Sequence, residues 1–266
     1  MRLTKHHGLG NDFLVLLDLD DTRPVSPKEA AALCHRRTGL GADGLLRATA
    51  GTDGADVTMQ LLNADGSPAE MSGNGIRCLA QALFQAELAT PPVLTVATDA
   101  GLRTVTELSR SDACTHRMSV DMGQAKVVAA EPEWVGGDVL HATRVDVGNP
   151  HLVLRWAGSR LPEREELTAL GSRIDDATPG GANVEVVRPG ATRGELDMVV
   201  YERGVGPTLA CGTGACAAVA AAHEWELCGP TTTVHMPGGP AEITLGDPVL
   251  LTGDATFVAL IDIPWM

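Results

Sequence analysis

With 266 residues, 44% of them hydrophobic, the chain is long enough to bury a sizeable core, and 3% aromatics leave that core to Val, Leu, Ala and Ile. A formal charge of −14 argues against nucleic acid and against an anionic membrane surface, both of which call for a basic face. No apolar run approaches the roughly 20 residues that span a bilayer, and Met1 to His7 lack the apolar stretch of a signal peptide, so a cytoplasmic protein is expected.

Lys5-His-His-Gly-Leu-Gly-Asn-Asp-Phe13 leads into an apolar strand, Leu14 to Leu17. A turn holding Gly8, Gly10 and Asn11 beside a strand end either presents an amide to a ligand or is simply tight. Ser26-Pro-Lys-Glu29 carries an N-cap, a proline at the first helical position and a glutamate at the third, which predicts a helix running to about Arg37. Gly39-Leu-Gly-Ala-Asp-Gly44 makes a second glycine-rich turn. It fits neither a P-loop nor a dinucleotide fingerprint, because no Gly-Lys-Ser/Thr follows and no GxGxxG opens a helix.

A β-rich segment, Asp56 to Leu62, then reaches Asn63-Ala-Asp-Gly66 and Ser72-Gly-Asn-Gly-Ile-Arg-Cys78. This last stretch returns 139 positions later as Cys211-Gly-Thr-Gly-Ala-Cys-Ala217, and the alignment runs without a gap on both sides. Met59 falls on Met198, Pro68 on Pro207, Ala82 on Ala221, Glu87-Leu88 on Glu226-Leu227 and Pro91 on Pro230. The chain is therefore an internal duplication with one helix per copy. Each helix is preceded by a β-rich segment (the second is Glu195 to Tyr201), stopped by a proline, and followed by a Thr- and Val-rich strand, 93–98 or 231–236. Such a repeat predicts an α/β (α+β) chain of two similar domains, 1–116 with about 256–266, and 117–255. The site is expected between them, with two helix N-termini directed at one carboxylate.

Residues 117–124 fall on 256–263 in the repeat, so the last strand closes the second copy, and 129–140 reads as the connection between domains. Asn149 and His151 flank a proline; taken alone, His151 is a turn histidine. Leu161 to Leu170 reads as a charged surface helix with Leu167 and Leu170 on one face. Gly180-Gly-Ala-Asn-Val-Glu185 follows, and Tyr201-Glu-Arg203 delivers an acid and a guanidinium, the latter suited to a carboxylate. Repeat logic sets Asn63 opposite Glu202, each nine residues before a helix start.

Thr208 to Ala222 holds a thiol ahead of Gly-Thr-Gly and a long alanine run, which puts Cys211 at a helix N-terminus. Unpaired N–H groups and the dipole there are expected to lower its pKa and make it a base or nucleophile; the bland alternative is a small buried hydrophobe. The six cysteines, 34, 78, 114, 211, 216 and 228, show no CxxC pair and no zinc spacing, so reduced thiols and no metal are expected.

These motifs, in this order and over nearly the whole chain, resemble the diaminopimelate epimerase family: Gly8 to Phe13, Gly41 to Gly44, Asn63 to Gly66, Gly73 to Cys78, Gly148 to His151, Tyr201 to Gly204 and Ala210 to Ala218. The resemblance implies two pseudo-symmetric domains, each a curled, mostly antiparallel sheet around a central helix, and a homodimer. It implies a cofactor-free isomerase that interconverts LL- and meso-diaminopimelate, using one cysteine on each side of the α-carbon. Carried over by motif, Cys211 is one acid/base residue and Gly73, Asn74, Gly212 and Thr213 form a backbone cradle. Asn11, Asn63, Asn149, Asn183 and Arg203 resemble the substrate-binding set, with His151 and Glu202 near the thiols and the amino group.

The family's other catalytic cysteine falls on Ser72. A hydroxyl is a far weaker acid than a thiol of reference pKa about 8.5, and a helix dipole worth roughly 1 kcal/mol moves a pKa by less than one unit. Cys78 does not replace it, lying almost two turns into the helix. The serine is a deliberate replacement, a natural divergence with impaired or altered chemistry, or the mark of a one-base reaction such as exchange or elimination. A racemase of another amino acid and a non-catalytic amino-acid sensor are the remaining alternatives.

Overall fold

Leu9 and Gly10 both take the left-handed backbone (φ 55° and 78°) that a two-residue hairpin turn requires. They join β1 (Arg2–Gly8) to β2 (Asn11–Leu17) in antiparallel register, His7 opposite Asp12. The computed structural model describes residues 1–52 and 54–264. It folds as two compact units, Met1–Asp121 with the chain from Thr252 onward, and Met122–Leu251.

In the first unit the chain continues through α1 (Pro27–Cys34), β3 (Gly44–Ala50), β4 (Val57–Asn63), a two-residue β5 (Pro68–Ala69), α2 (Gly73–Gln85), β6 (Val93–Thr98), β7 (Gly101–Arg110) and β8 (Thr115–Asp121). The capping box at Ser26 and Glu29 forms as expected, but α1 stops at Cys34, short of Arg37. The reason is local: the His35 ring accepts the backbone N–H groups of Arg37 and Thr38 and draws the chain into a turn. β2 and β3 pair in parallel, as do β4 and β6, whereas β3–β4, β6–β7 and β7–β8 are antiparallel.

Helix α2 packs against β1, β2, β3, β7 and β8, and Gly73 to Phe84 are all buried. A helix enclosed on every side must satisfy its polar side chains internally. Gln81 does so through His6 Nδ1 at 2.8 Å and the Cys114 carbonyl at 2.6 Å, and Arg77 donates to the Gly73 carbonyl at 2.9 Å and to Asn74 Oδ1 at 2.7 Å.

The second unit runs through β9 (Lys126–Ala130), a 3₁₀ turn over Pro132–Trp134, β10 (Val139–Asp146), β11 (Pro150–Trp156), α3 (Arg164–Ala177), β12 (Asn183–Pro189), β13 (Glu195–Glu202), β14 (Gly206–Thr208), α4 (Gly212–Glu224), β15 (Thr231–Met236) and β16 (Gly239–Thr244). Residues 129–140, expected to connect domains, lie inside this unit: β9 pairs with β10, and Arg144 Nε meets Glu131 Oε1 at 2.8 Å. Helix α3 begins at Arg164 and runs to Ala177, displaced from the 161–170 expectation. Glu163 and Glu166 supply its capping box, and Ile174 joins Leu167 and Leu170 in the core against β12, which extends the buried face one turn past Leu170. Around α4 lie strands β9 to β13, β15 and β16, and the small side chains Ala215, Ala217, Ala218 and Ala221 let them approach closely.

The duplication is exact in the strand register. Leu45 pairs with Leu62 in β3–β4, and the residues 139 positions on, Val184 and Tyr201, pair in β12–β13. Both helices have 13 residues, and both are followed by a glutamate with left-handed backbone, Glu87 (φ 57°) and Glu226 (φ 58°). The β6–β7 and β15–β16 hairpins also match, but with the offset reduced by one: Val93 pairs with Thr106, and Thr231 with Thr244. The single extra residue falls after Pro91.

The last strand, β17 (Leu250–Asp262), starts in the second unit with Leu250 and Leu251, but from Thr252 on it belongs to the first. It pairs antiparallel with β1 and also with β8, and so completes a ring of strands around α2 in the first unit. Hydrogen bonding carries this choice: Phe257 N–H reaches the Cys114 carbonyl and Ile263 N–H the Met1 carbonyl, both at 2.8 Å.

Candidate active site

The candidate residues gather at the N-terminal end of each central helix. In the first unit Ser72 is the N-cap of α2 (φ −139°, ψ 121°), and its Oγ accepts the Gly75 N–H at 3.0 Å. The N–H groups of Gly73 and Asn74 precede the first intrahelical bond, Ile76 N–H to the Ser72 carbonyl, and so are donors directed off the helix end. Asn74 is buried, and its amide donates to Asn11 Oδ1 at 3.3 Å. Asn11 in turn donates to Asp43 Oδ2 at 2.9 Å, and Arg36 clamps Asp43 and Asp12 together at 2.6 and 2.7 Å. Burial works against the Asp12 carboxylate, but Arg36 and Lys5 outweigh it and hold its pKa at about 2. Asn63 stands apart: it is exposed at the end of β4 and turns its amide to Ser67 Oγ at 3.1 Å.

Ser72 thus acts as a helix cap. Ser72→Ala is expected to lower stability by about 1 kcal/mol, read as a fall in Tm, because the Gly75 N–H loses its acceptor.

In the second unit Cys211 is the N-cap of α4 with nearly the same backbone (φ −132°, ψ 116°), but its side chain makes no capping bond. It is buried, with Sγ 3.5 Å from Thr213 Oγ1. Gly212 and Thr213 precede the first intrahelical bond, from Ala215 N–H to the Cys211 carbonyl, as Gly73 and Asn74 do in the first unit. Glu202, at the end of β13, accepts the Thr208 hydroxyl and interacts electrostatically with the Cys211 thiol. His151, fully buried on β11, meets Glu185 Oε1 through Nδ1 at 2.7 Å and the Asn149 amide through Nε2 at 2.9 Å. Asn183 is pinned at both ends of its amide, to the Pro150 carbonyl at 3.2 Å and the Arg203 N–H at 3.0 Å. The Arg203 guanidinium is exposed and donates to the Gly180 carbonyl at 3.0 Å.

The expected lowering of the thiol pKa is overturned. Burial pushes Cys211 well above the ordinary thiol value, the carboxylates of Glu202 and Glu185 push it further, and Thr213 with the Gly214 N–H opposes them only in part. Burial also raises Glu202, reinforced by Glu185 and opposed by Thr208, His151 and Cys211. The resting thiol is therefore protonated, next to a carboxyl group able to exchange that proton.

Three groups that shape the site were missed in the sequence: Glu185, Asp43 and Arg36. A signal existed for the first, since Glu185 interrupts the otherwise apolar run Val184-Val186-Val187. Asp43 was read only as part of a turn.

A pair of α/β units built to one register, each presenting a helix N-terminus, is the architecture of the pyridoxal-phosphate-independent amino-acid racemases and epimerases. A hydroxyproline epimerase from Agrobacterium vitis superposes with a TM-score of 0.74 at 15% identity over 98% of this chain and 91% of that one. A PhzF-family phenazine biosynthesis protein of Bacillus anthracis gives 0.70 at 13% over 99% and 98%. The Diaminopimelate epimerase family model matches residues 3–128 and 143–258, and this chain belongs to that family. It is 39% identical to the diaminopimelate epimerase of Cyanothece sp., covering 96% of both chains, and 38% identical to that of Thermobifida fusca, covering 97% of this chain and 96% of the relative. The enzyme from Mycobacterium ulcerans is 39% identical, with coverage of 97% and 95%.

Proposed function

We propose that this chain moves the α-proton of 2,6-diaminopimelate between the LL and meso forms, with no cofactor, and that Cys211 is its working acid/base. The observation that carries this reading is the buried Cys211 thiol at a helix N-terminus with the Glu202 carboxyl beside it. In the donor direction the protonated thiol delivers its proton to the α-carbon. In the base direction the thiol proton passes to Glu202 and the thiolate takes the α-proton. The N–H groups of Gly212 and Thr213 receive the α-carboxylate and stabilise the charge that grows on it as the carbon is deprotonated. Gly73 and Asn74 offer the same donors in the first unit. Asn11, Asn63, Asn149, Asn183 and Arg203 belong to the same reading as the groups that hold the rest of the substrate, with Arg203 at the distal carboxylate.

Ser72 limits this chain. Its oxygen is engaged by the Gly75 N–H, and a hydroxyl has no accessible anion near neutral pH. Proton exchange on the face served by Cys211 is therefore expected without efficient inversion. In D₂O, only the stereoisomer whose α-hydrogen lies on the Cys211 face, LL or meso but not both, should gain α-deuterium with its configuration retained, and faster as the pH rises toward the elevated thiol pKa. Binding without exchange at either centre would favour an amino-acid sensor instead. The homodimer rests on the family resemblance, and the cytoplasmic location on the expectation read from the sequence.

A further inference from the structure

Glu185 is fully buried on β12, in a run of buried valines. Its Oε1 meets His151 Nδ1 at 2.7 Å, and its Oε2 has no hydrogen-bond partner among the described residues. A buried carboxylate with one unpaired oxygen is costly, and a fold keeps one only where the remaining contact is worth having. The backbone also makes room for it: a Cβ on Gly214 would lie 2.5 Å from Glu185 Oε1 and 3.2 Å from its Cδ. The third residue of Gly212-Thr213-Gly214 therefore lacks a side chain where this carboxylate comes up against the first turn of α4. Alanine would otherwise be the better helix former there by about 1 kcal/mol.

The contact has a consequence for Asn149. A carboxylate only accepts, so Nδ1 of His151 is the donor to it. That bond fixes the ring's orientation and leaves Nε2 against Asn149 Oδ1 at 2.9 Å, where the ring nitrogen donates and the amide oxygen accepts, so the NH₂ end of Asn149 is the one left to the substrate. Two further groups face this cluster: Glu202, which interacts electrostatically with His151 and with Glu185, and Cys211, which interacts with both glutamates. Resting on the reading of Asn149 as a substrate-holding group, we infer that Glu185 is a positioning residue. It locks the His151 ring from behind and so sets which end of the Asn149 amide is offered to the substrate. It touches no reacting atom.

Glu185→Gln keeps the shape but turns an acceptor-only group into one that also donates, so the ring is no longer held to one hydrogen-bonding pattern. Gly214→Ala attacks the same contact from the helix side and adds helix propensity, so a folded protein is expected from it even if the buried Glu185→Gln does not fold. Two readouts apply to the full chain. In ¹⁵N NMR of histidine-labelled protein, the parent should show a protonated His151 Nδ1, and each folded variant should lose or broaden that signal. The Kd for meso-diaminopimelate, by calorimetry, should weaken about tenfold in each, the size of one hydrogen bond. A bare Nδ1 in the parent, or an Nδ1 signal and a Kd both unchanged in the variants, overturns the inference. A parent that binds no diaminopimelate overturns the functional reading instead, and the nitrogen signal still decides the place of Glu185.

Discussion

Replacing Ser72 by cysteine should raise LL-to-meso epimerisation by about three orders of magnitude, the range a positioned acid/base contributes. Inversion needs one group to remove the α-proton and another to protonate the opposite face, and the parent chain offers a thiol at only one of the two equivalent helix caps. The cost in stability is small. Sulfur is a poorer cap than oxygen, so the Gly75 N–H bond weakens by about 1 kcal/mol at most. The second unit already tolerates this arrangement, since α4 has the same 13-residue length as α2 with a cysteine cap that makes no side-chain capping bond. The assay is the rate at which optical rotation or chiral chromatography reports meso product from LL substrate. An unchanged rate with the variant folded removes position 72 from the mechanism.

Cys211→Ala should abolish α-deuterium exchange into the stereoisomer that the parent chain labels, a loss of about a thousandfold or more, while Kd for diaminopimelate stays within a few fold. The backbone donors of Gly212 and Thr213 survive the change, which separates binding from proton transfer. Alanine is small and apolar, as suits the buried surroundings, and leaves Thr213 and Glu202 in place. Exchange that persists in this variant at a comparable rate assigns the proton transfer elsewhere. Cys211→Ser should sit near Cys211→Ala in exchange, since the hydroxyl repeats the limitation already present at position 72.

Much of the fold is legible in the sequence because the repeat runs without a gap from the paired strands through the helix as far as Pro91. A 139-residue offset read from Met59, Gly73, Ala82 and Pro91 fixes the register of β3–β4 against β12–β13 to the residue. The helix ends were less legible where a side chain, not the backbone pattern, decides them: His35 stops α1, and Ile174 prolongs the buried face of α3. At the site, the polar residues beside the helix caps stand in recognisable motifs, but their electrostatics do not. A thiol at a helix N-terminus suggests a lowered pKa from sequence alone. Burial reverses this, with Glu202 and Glu185 adding to it from two strands that only folding brings to the cap. The partner of His151 lies 34 residues away, a distance no local motif spans.

The closing of the first ring by β17 sets an order of assembly. As the chain leaves a ribosome, every element of the second unit through β16 has emerged before the strand that β1 and β8 await. Until then those two strands present bare backbone edges, the feature by which sheets recruit foreign strands. The unit that holds β1 and β8 is thus completed only after the strands of the other have formed, and β17 acts as its clasp.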